Sequence, residues 1–292
     1  EAIVHTFLAV WKAKRLHADL IHIHAIGPAL LVPLARFLGL KVVFTHHGPD
    51  YERAKWGWLA KSFLKLGERL GCRYAHEVIV ISQVIQKRVA DQYGRQDTHL
   101  IRNGIPLPDF VEDTTYLEEL GIEDGNYILS VGFVPEKNYH RLIRCFASAS
   151  SGTCRLVLAG DANINDRYST DLKQMALKYK VVLTGFIQGK KLHSLLTHAR
   201  CFILPSSHEG LPIALLEAMT YRLPVIVSNI PANAEIGLDQ EAYFQVDDEL
   251  QLTEKIKKAI DTPLQRIDYL MDDYNWNVIA EQVSEVYKKV IC

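Results

Sequence analysis

Cys201-Phe202-Ile203-Leu204-Pro205-Ser206-Ser207-His208-Glu209-Gly210-Leu211-Pro212-Ile213-Ala214-Leu215-Leu216-Glu217-Ala218-Met219 reads as a short apolar strand, a polar turn and a helix apolar on nearly every side. Strands that feed directly into buried helices build parallel sheets. Proline favours the first helical position, so the helix is predicted to start near Pro212, with Glu209 and Gly210 in the turn before it. Gly210 lets a ligand approach the backbone, and the amides of Gly210, Leu211 and Ile213 at a helix N-terminus suit an anion such as a diphosphate. Glu217 is out of place on so apolar a helix, because a buried carboxylate is costly unless something binds it. It lies about 7–8 Å further along the axis at ~1.5 Å per residue, so a ligand touching both carboxylates must be elongated. A nucleotide-sugar has that shape, with its sugar by Glu209, its diphosphate at the helix end and its ribose by Glu217. The alternative is a solvated Glu209 and a Glu217 neutralised by a buried Arg or Lys.

The same alternation extends both ways. Asp19–His24, Lys41–Thr45 and Glu77–Ser82 are short apolar runs separated by helical stretches, and Asn103-Gly104-Ile105-Pro106-Leu107-Pro108 breaks the pattern into turn residues. Beyond it, Tyr127–Val131, Arg155–Ala159, Val181–Thr184, Cys201–Leu204 and Pro224–Val227 form a second strand series. The expected organisation is an α/β chain with one domain over 1–107, a doubly wound domain over 108–274 and a docked helix over 275–292, apolar at Val278, Ile279, Val283, Val286, Tyr287 and Val290. Ligands in doubly wound sheets bind beyond the carboxyl ends of the strands, where Glu209 falls.

The 292 residues, 48% of them apolar, suffice for two full cores. The net charge of −1 hides an asymmetry: residues 1–107 hold 15 Lys and Arg against 8 Asp and Glu, and residues 108–292 hold 18 against 26. Opposite charge in the two halves suggests different partners. No uncharged apolar run reaches the ~18 residues of a membrane span, and no signal peptide is seen. Cys72, Cys145, Cys154, Cys201 and Cys292 are scattered without metal-ligand spacing and read as core residues in a reducing compartment. No G-x-G-x-x-G follows a strand and no G-x-x-x-x-G-K-[ST] is present, which argues against dinucleotide and P-loop enzymes.

Five motifs in order, Ser130-Val131-Gly132-Phe133-Val134-Pro135-Glu136-Lys137-Asn138, Leu158-Ala159-Gly160-Asp161, Leu183-Thr184-Gly185-Phe186, Leu204-Pro205-Ser206 and the E-x7-E pair, resemble the retaining glycosyltransferases of family four. Ile21-His22-Ile23-His24 and Thr45-His46-His47-Gly48 resemble that family's two histidine segments, so the likeness covers most of the chain. It implies a GT-B fold: two Rossmann-like doubly wound parallel-sheet domains with a cleft between them. The donor is held mainly by the second domain and the acceptor by the first, with no metal and no cofactor beyond the nucleoside-diphosphate sugar co-substrate. By that resemblance His24, Lys137 and Glu209 are the catalytic candidates. Gly132, Lys137, Phe186, Ile187, Glu209, Gly210, Leu211, Pro212, Ile213 and Glu217 are the donor-binding candidates. Lys137 would stabilise the leaving diphosphate. The family usually carries Arg after the glycine that is Gly132 here, whereas this chain has Phe133, with Arg102 and Arg141 as candidate substitutes. The family's first strand and glycine-bearing loop are expected to precede Glu1.

On the acceptor side the resemblance points to His47, Asp50, Tyr51 and Arg53. Lys61, Lys65 and Arg69 recur every four residues beside Trp58, Leu59, Phe63, Leu64 and Leu66, so the 53–69 segment reads as a basic, aromatic helix suited to an anionic membrane surface. The expectation is a cytoplasmic enzyme, peripheral on the inner face of the plasma membrane. It moves a hexose-type sugar, with a UDP-sugar as donor, to a saccharide or lipid-linked saccharide in surface polysaccharide synthesis, and nucleic acid is not a partner. The rival readings are a nucleotide-sugar 2-epimerase on the same fold and a non-catalytic nucleotide-sugar-binding protein.

Overall fold

Ten strands, all paired in parallel, divide between two sheets in the computed structural model, which describes residues 2–52, 56–149, 152–161 and 167–292. Unit 1 comprises Glu1–Gly104 and Asp272–Cys292, and unit 2 comprises Ile105–Met271.

In unit 1 the strands are β1 (Leu20–His24), β2 (Lys41–His46), β3 (Glu77–Val80) and β4 (Thr98–Leu100), in the order β1-β2-β3-β4. β4 is too short and polar for the sequence pattern to have shown it. Successive residues of β2 face opposite sides of the sheet. On one side Val43 packs with Ile79, Ile101 and, from the Trp276–Ile291 helix, Ile279, Val286 and Val290. On the other, Phe44 meets the Trp58–Tyr74 helix at Gly71, where an added Cβ would come within 2.9 Å of its ring. Gly67 on the same helix is tighter still, since a Cβ there would lie 2.0 Å from the Ile26 carbonyl oxygen. The two glycines therefore set how deeply that helix sits. Of the residues read as the apolar stripe of the last helix, Val278 is 42% exposed.

Unit 2 is a six-stranded sheet of β5 (Tyr127–Val131), β6 (Arg155–Ala159), β7 (Val182–Leu183), β8 (Cys201–Leu204), β9 (Val225–Ser228) and β10 (Tyr243–Phe244), in the order β10-β9-β8-β5-β6-β7. The chain winds one way through β5, β6 and β7, then crosses to the other side of β5 for β8 and winds outward again. This places the topological switch point between β5 and β8, where an open α/β sheet leaves a crevice at the strands' carboxyl ends. The core below it is built from Ile128, Tyr139, Leu142, Leu156, Leu158, Leu172, Ile203 and Phe244. Cys72, Cys145, Cys154 and Cys201 are buried free thiols, but Cys292 is exposed, contrary to the expectation of five core cysteines. No helix among the described residues is long and apolar enough to cross a membrane.

Gly67→Ala should cost about 1–3 kcal/mol through overpacking against backbone, while Gly57→Ala, with nothing within 4 Å of the new methyl, should cost far less. Urea denaturation of both variants checks this; equal midpoints would show that the helix can shift freely.

Candidate functional site

Two loops leave the switch point and are laced together. After β5, Gly132 turns at φ +114 into the short 3-10 turn Pro135–Lys137, closed by Asn138 at φ +53. The Asn138 side chain donates to the Pro205 carbonyl at 3.0 Å, and the Ser207 amide donates to the Glu136 carbonyl at 2.8 Å. These bonds bring Lys137 to the loop after β8, where its Nζ donates to Glu209 Oε1 at 2.8 Å. Ser206 Oγ donates to the same oxygen at 2.6 Å. Glu209 Oε2 makes no hydrogen bond to protein among the described residues. The Lys137 and Glu209 side chains are only 13% and 16% exposed, so the pair is largely withdrawn from water.

Glycine is required around this pair by close approach. A Cβ at Gly132 would sit 2.9 Å from Lys137 Cε, and one at Gly160 (φ +135) would sit 3.1 Å from the Gly132 carbonyl group. Gly160 in turn donates to the Gly185 carbonyl at 3.0 Å. The ends of β5, β6 and β7 thus share a floor without side chains. Beyond Gly185, Phe186 is 75% exposed and Ile187 half-buried.

The helix of the E-x7-E motif spans Ile213–Thr220 with Pro212 as its N-cap, one residue later than predicted. Leu215 and Leu216 both donate to the Pro212 carbonyl. The Ile213 amide is taken by the Leu211 carbonyl at 2.9 Å, which corrects the expectation that it points outward. The Gly210 and Leu211 amides make no hydrogen bond to protein among the described residues. The side chains of Leu211 and Pro212 are buried, so those two residues can offer a ligand only backbone.

Glu217 is half-buried with no ion pair or side-chain hydrogen bond to protein among the described residues. A neutralising buried Arg or Lys is therefore not what accounts for it. Burial pushes its carboxyl above the usual range, offset in part by His193.

In unit 1, parallel pairing sets His24 opposite Thr45. His24 Nδ1 lies 3.0 Å from His47 Nε2, with the rings stacked at 5.3 Å between centroids. His22 packs on His24 at 4.0 Å between ring centroids and bonds to Tyr287 Oη and Thr45 Oγ1, each at 2.7 Å. Burial, followed by the neighbouring histidines, holds His22 down at about 3 and His47 at about 4, and burial lowers His24. Near neutrality His24 and His47 are therefore uncharged, one donating to the other. Asp50 lies close enough to His47 to oppose that lowering.

Tyr51 is 7% exposed and its hydroxyl donates to the buried Glu68 at 2.7 Å. This corrects the expectation that it meets an acceptor, because the hydroxyl is committed to the interior. Arg53 lies outside the described residues. Sequence reading missed Glu68 and His46, since a Glu on a basic helix looks solvated. It also missed the role of Ser206, although the S-x-x-E spacing to Glu209 is the signal that could have revealed it. No group of three or more His, Cys, Asp or Glu among the described residues is placed to hold a metal.

Residues 112–271 match the family of glycosyl transferases group 1, and residues 3–108 match glycosyltransferase family 4. The chain belongs to this glycosyltransferase family. It is 25% identical to the O-antigen chain mannosyltransferase RfbU of Salmonella typhimurium over 78% of its own length and 64% of the relative's. It is 30% identical to the UDP-Gal:alpha-D-GlcNAc-diphosphoundecaprenol alpha-1,3-galactosyltransferase of Escherichia coli over 75% of its length and 60% of that protein's. The chain thus spans under two thirds of either relative. Anabaena Alr3699/HepE, crystallised with UDP and glucose, superposes with a TM-score of 0.83 at 19% identity, covering 97% of this chain and 81% of that one. The fold is GT-B.

Phe133 is 7% exposed and belongs to the unit 2 core with Tyr139, Leu142 and Leu158, so its side chain points away from the loop surface where the resemblance expects an arginine. Arg141 is engaged with the Val246 carbonyl and with Asp247 at 3.1 Å. Arg102 belongs to unit 1, 3.6 Å from Asp273 and over the Tyr274 ring.

Phe133→Arg should therefore unfold unit 2 rather than add a phosphate ligand, at a cost of about 3–5 kcal/mol for a lost core aromatic, besides the burial of an unpaired charge. Thermal denaturation decides it; a variant as stable as the parent would mean that residue 133 can turn outward.

Proposed function

We propose that this glycosyltransferase moves a hexose-type sugar, with retention, from a nucleoside-diphosphate donor to a saccharide acceptor in cell-surface polysaccharide synthesis. The observation that carries it is the pair of carboxylates at the switch point of unit 2, one paired with Lys137 and the other half-buried without a partner. Glu209 Oε2 is disposed to accept from donor sugar hydroxyls, and Glu217 from ribose hydroxyls, each such charged hydrogen bond contributing roughly 1.5–3 kcal/mol. Lys137 and the Gly210 and Leu211 amides supply a positive field for the diphosphate without a metal ion. Phe186 and Ile187 offer an apolar surface to the base. A UDP-sugar is the favoured donor, in keeping with the ligands named for HepE and the galactosyltransferase.

In the proposed reaction the acceptor hydroxyl attacks the anomeric carbon on the face from which the diphosphate departs. The carbon–oxygen bond to the diphosphate breaks as the bond to the acceptor forms, and the hydroxyl proton passes to the leaving phosphate oxygen. Lys137 stabilises the charge that grows there. Unit 1 contributes His24 in its neutral form, with His47 and Asp50 on the acceptor side. The non-catalytic alternative rested on Phe133 and on the segment expected to precede Glu1; the place of Phe133 in the core weakens the first of these. A 2-epimerase remains distinguishable, since it would convert donor with no acceptor present.

Glu217→Gln tests the donor site twice. The raised carboxyl means that the folded state favours the protonated form. That contribution to stability is full below the unfolded-state value and lost as pH rises through the folded-state value. At pH 7 the substitution should therefore raise intrinsic stability, a gain that is lost as pH falls below the unfolded-state value. The same variant should lose most of the thermal shift that a saturating UDP-sugar gives the parent, out of a panel with GDP- and ADP-sugars. An unchanged shift would make Glu217 structural, and a product of inverted anomeric configuration would refute retention.

We also propose that the acceptor is lipid-linked and that the enzyme docks on the inner face of the plasma membrane through the Trp58–Tyr74 helix. Trp58, Leu59, Phe63 and Leu66 are 76, 55, 56 and 45% exposed beside Lys61, Lys65 and Arg69. Sedimentation with anionic vesicles should fall at least tenfold in a Trp58→Ser, Phe63→Ser variant and be absent with neutral vesicles; equal sedimentation of parent and variant would exclude this helix as the anchor.

A further inference from the structure

The Thr45-His46-His47-Gly48 stretch at the end of β2 has one histidine against His24 and one wholly buried. His46 and Glu68 are both 0% exposed, with His46 Nε2 at 2.8 Å from Glu68 Oε1. An ionisable pair so deep is costly unless every polar atom is used. Here every one is. Glu68 Oε2 accepts from Tyr51 Oη at 2.7 Å and Tyr93 Oη at 2.8 Å, and the His46 Nδ1 accepts from the Gly48 amide at 3.0 Å. Gly67 and Gly71 allow the helix carrying Glu68 to approach closely enough to make these bonds.

The directions of these bonds are forced. A backbone amide only donates, so His46 Nδ1 must carry a lone pair and Nε2 the proton, which Glu68 accepts. Gly48 sits at φ +126, a conformation that L side chains rarely adopt, and its carbonyl accepts the Asp50 amide at 3.0 Å. His47 is therefore held between two fixed points, a histidine whose tautomer is set and a glycine whose amide is tied back to it. Its Nε2 is the atom that meets His24.

We infer that Glu68 is a positioning residue: through the tautomer of His46 and the Gly48 amide it fixes the turn that holds His47 against His24. This rests on the reading of His24 and His47 as part of the site. Glu68 makes no hydrogen bond to either ring, so it acts through His46 and, on the far side of the same turn, through the Tyr51 hydroxyl.

Long-range proton–nitrogen correlation spectra of the ¹⁵N-labelled protein test the relay without any sugar donor, with His46 assigned by His46→Gln. The parent should show His46 as a single tautomer protonated at Nε2, and a His46 protonated at Nδ1 would overturn the proposal whatever the variants do. In Glu68→Ala, His46 should become a tautomer mixture and the His47 and His24 ring signals should move. Glu68→Gln, which keeps an oxygen for His46 Nε2–H, should restore both. A folded Glu68→Ala with unchanged His47 and His24 signals would reduce Glu68 to a packing role. If Glu68→Ala does not fold, the parent spectrum and Glu68→Gln still decide, since a Gln variant that alters the His46 tautomer while His47 and His24 stay unmoved also overturns it. With a donor identified, Glu68→Ala should lower kcat about 10- to 100-fold and leave the donor's thermal shift unchanged. Absence of any donor shift in the parent would instead count against the donor reading and leave the relay standing.

Discussion

The contact between Lys137 and Glu209 is the constraint around which unit 2 is organised. A doubly wound sheet leaves one place where neighbouring strands diverge into loops on opposite faces, and here it is the gap between β5 and β8. The two loops would be free to separate were they not joined by the Asn138 and Ser207 hydrogen bonds, which bring opposite charges to 2.8 Å. Gly132 is bare because the lysine stem crosses it, and Gly160 is bare because it lies against Gly132. An ion pair so far withdrawn from water contributes little net stability, because desolvation offsets much of the attraction. What it does is hold a positive nitrogen and a carboxylate oxygen at a defined spacing, with the other carboxylate oxygen still available to accept.

Glu217 and Glu68 show two fates of a carboxylate taken out of water. Glu68 is wholly enclosed, and three donors keep its carboxyl below the usual range even though burial by itself would raise it. Glu217 is half-enclosed, has no such donors, and burial raises it. The first is a finished structural device and the second is incomplete, which is why the proposed function gives a ligand's hydroxyls to Glu217 and not to Glu68. The same contrast separates the histidines. His46 has both nitrogens spent inside the fold, while His24 and His47 share one hydrogen bond near the surface and remain neutral because burial, and for His47 also the neighbouring histidines, disfavours the charged form.

Much of the fold was legible because parallel strands buried on both faces are continuous apolar runs: Tyr127–Val131, Arg155–Ala159 and Cys201–Leu204 stand in the structure with the predicted bounds. The strands that escaped notice, Thr98–Leu100 and Tyr243–Phe244, are sheet edges of two or three residues, too short for any period to register. Pattern also misjudged residues whose role depends on direction. Phe133 stood where a charge was expected and Tyr51 where a ligand contact was expected, and both side chains point inward.

Sequence by itself determined the succession of strands and helices, the family, and the identity of the two carboxylates, because these follow from local apolar periodicity and from motifs whose order survives in one dimension. Only the tertiary structure decided that Glu209 is paired with Lys137 while Glu217 has no partner, that Phe133 belongs to the core, and that Glu68 reaches His46 from another element. Those facts depend on which side chains the reversal of the sheet and the glycine-lined helix contacts bring within 3 Å, and separation along the chain carries no record of that distance.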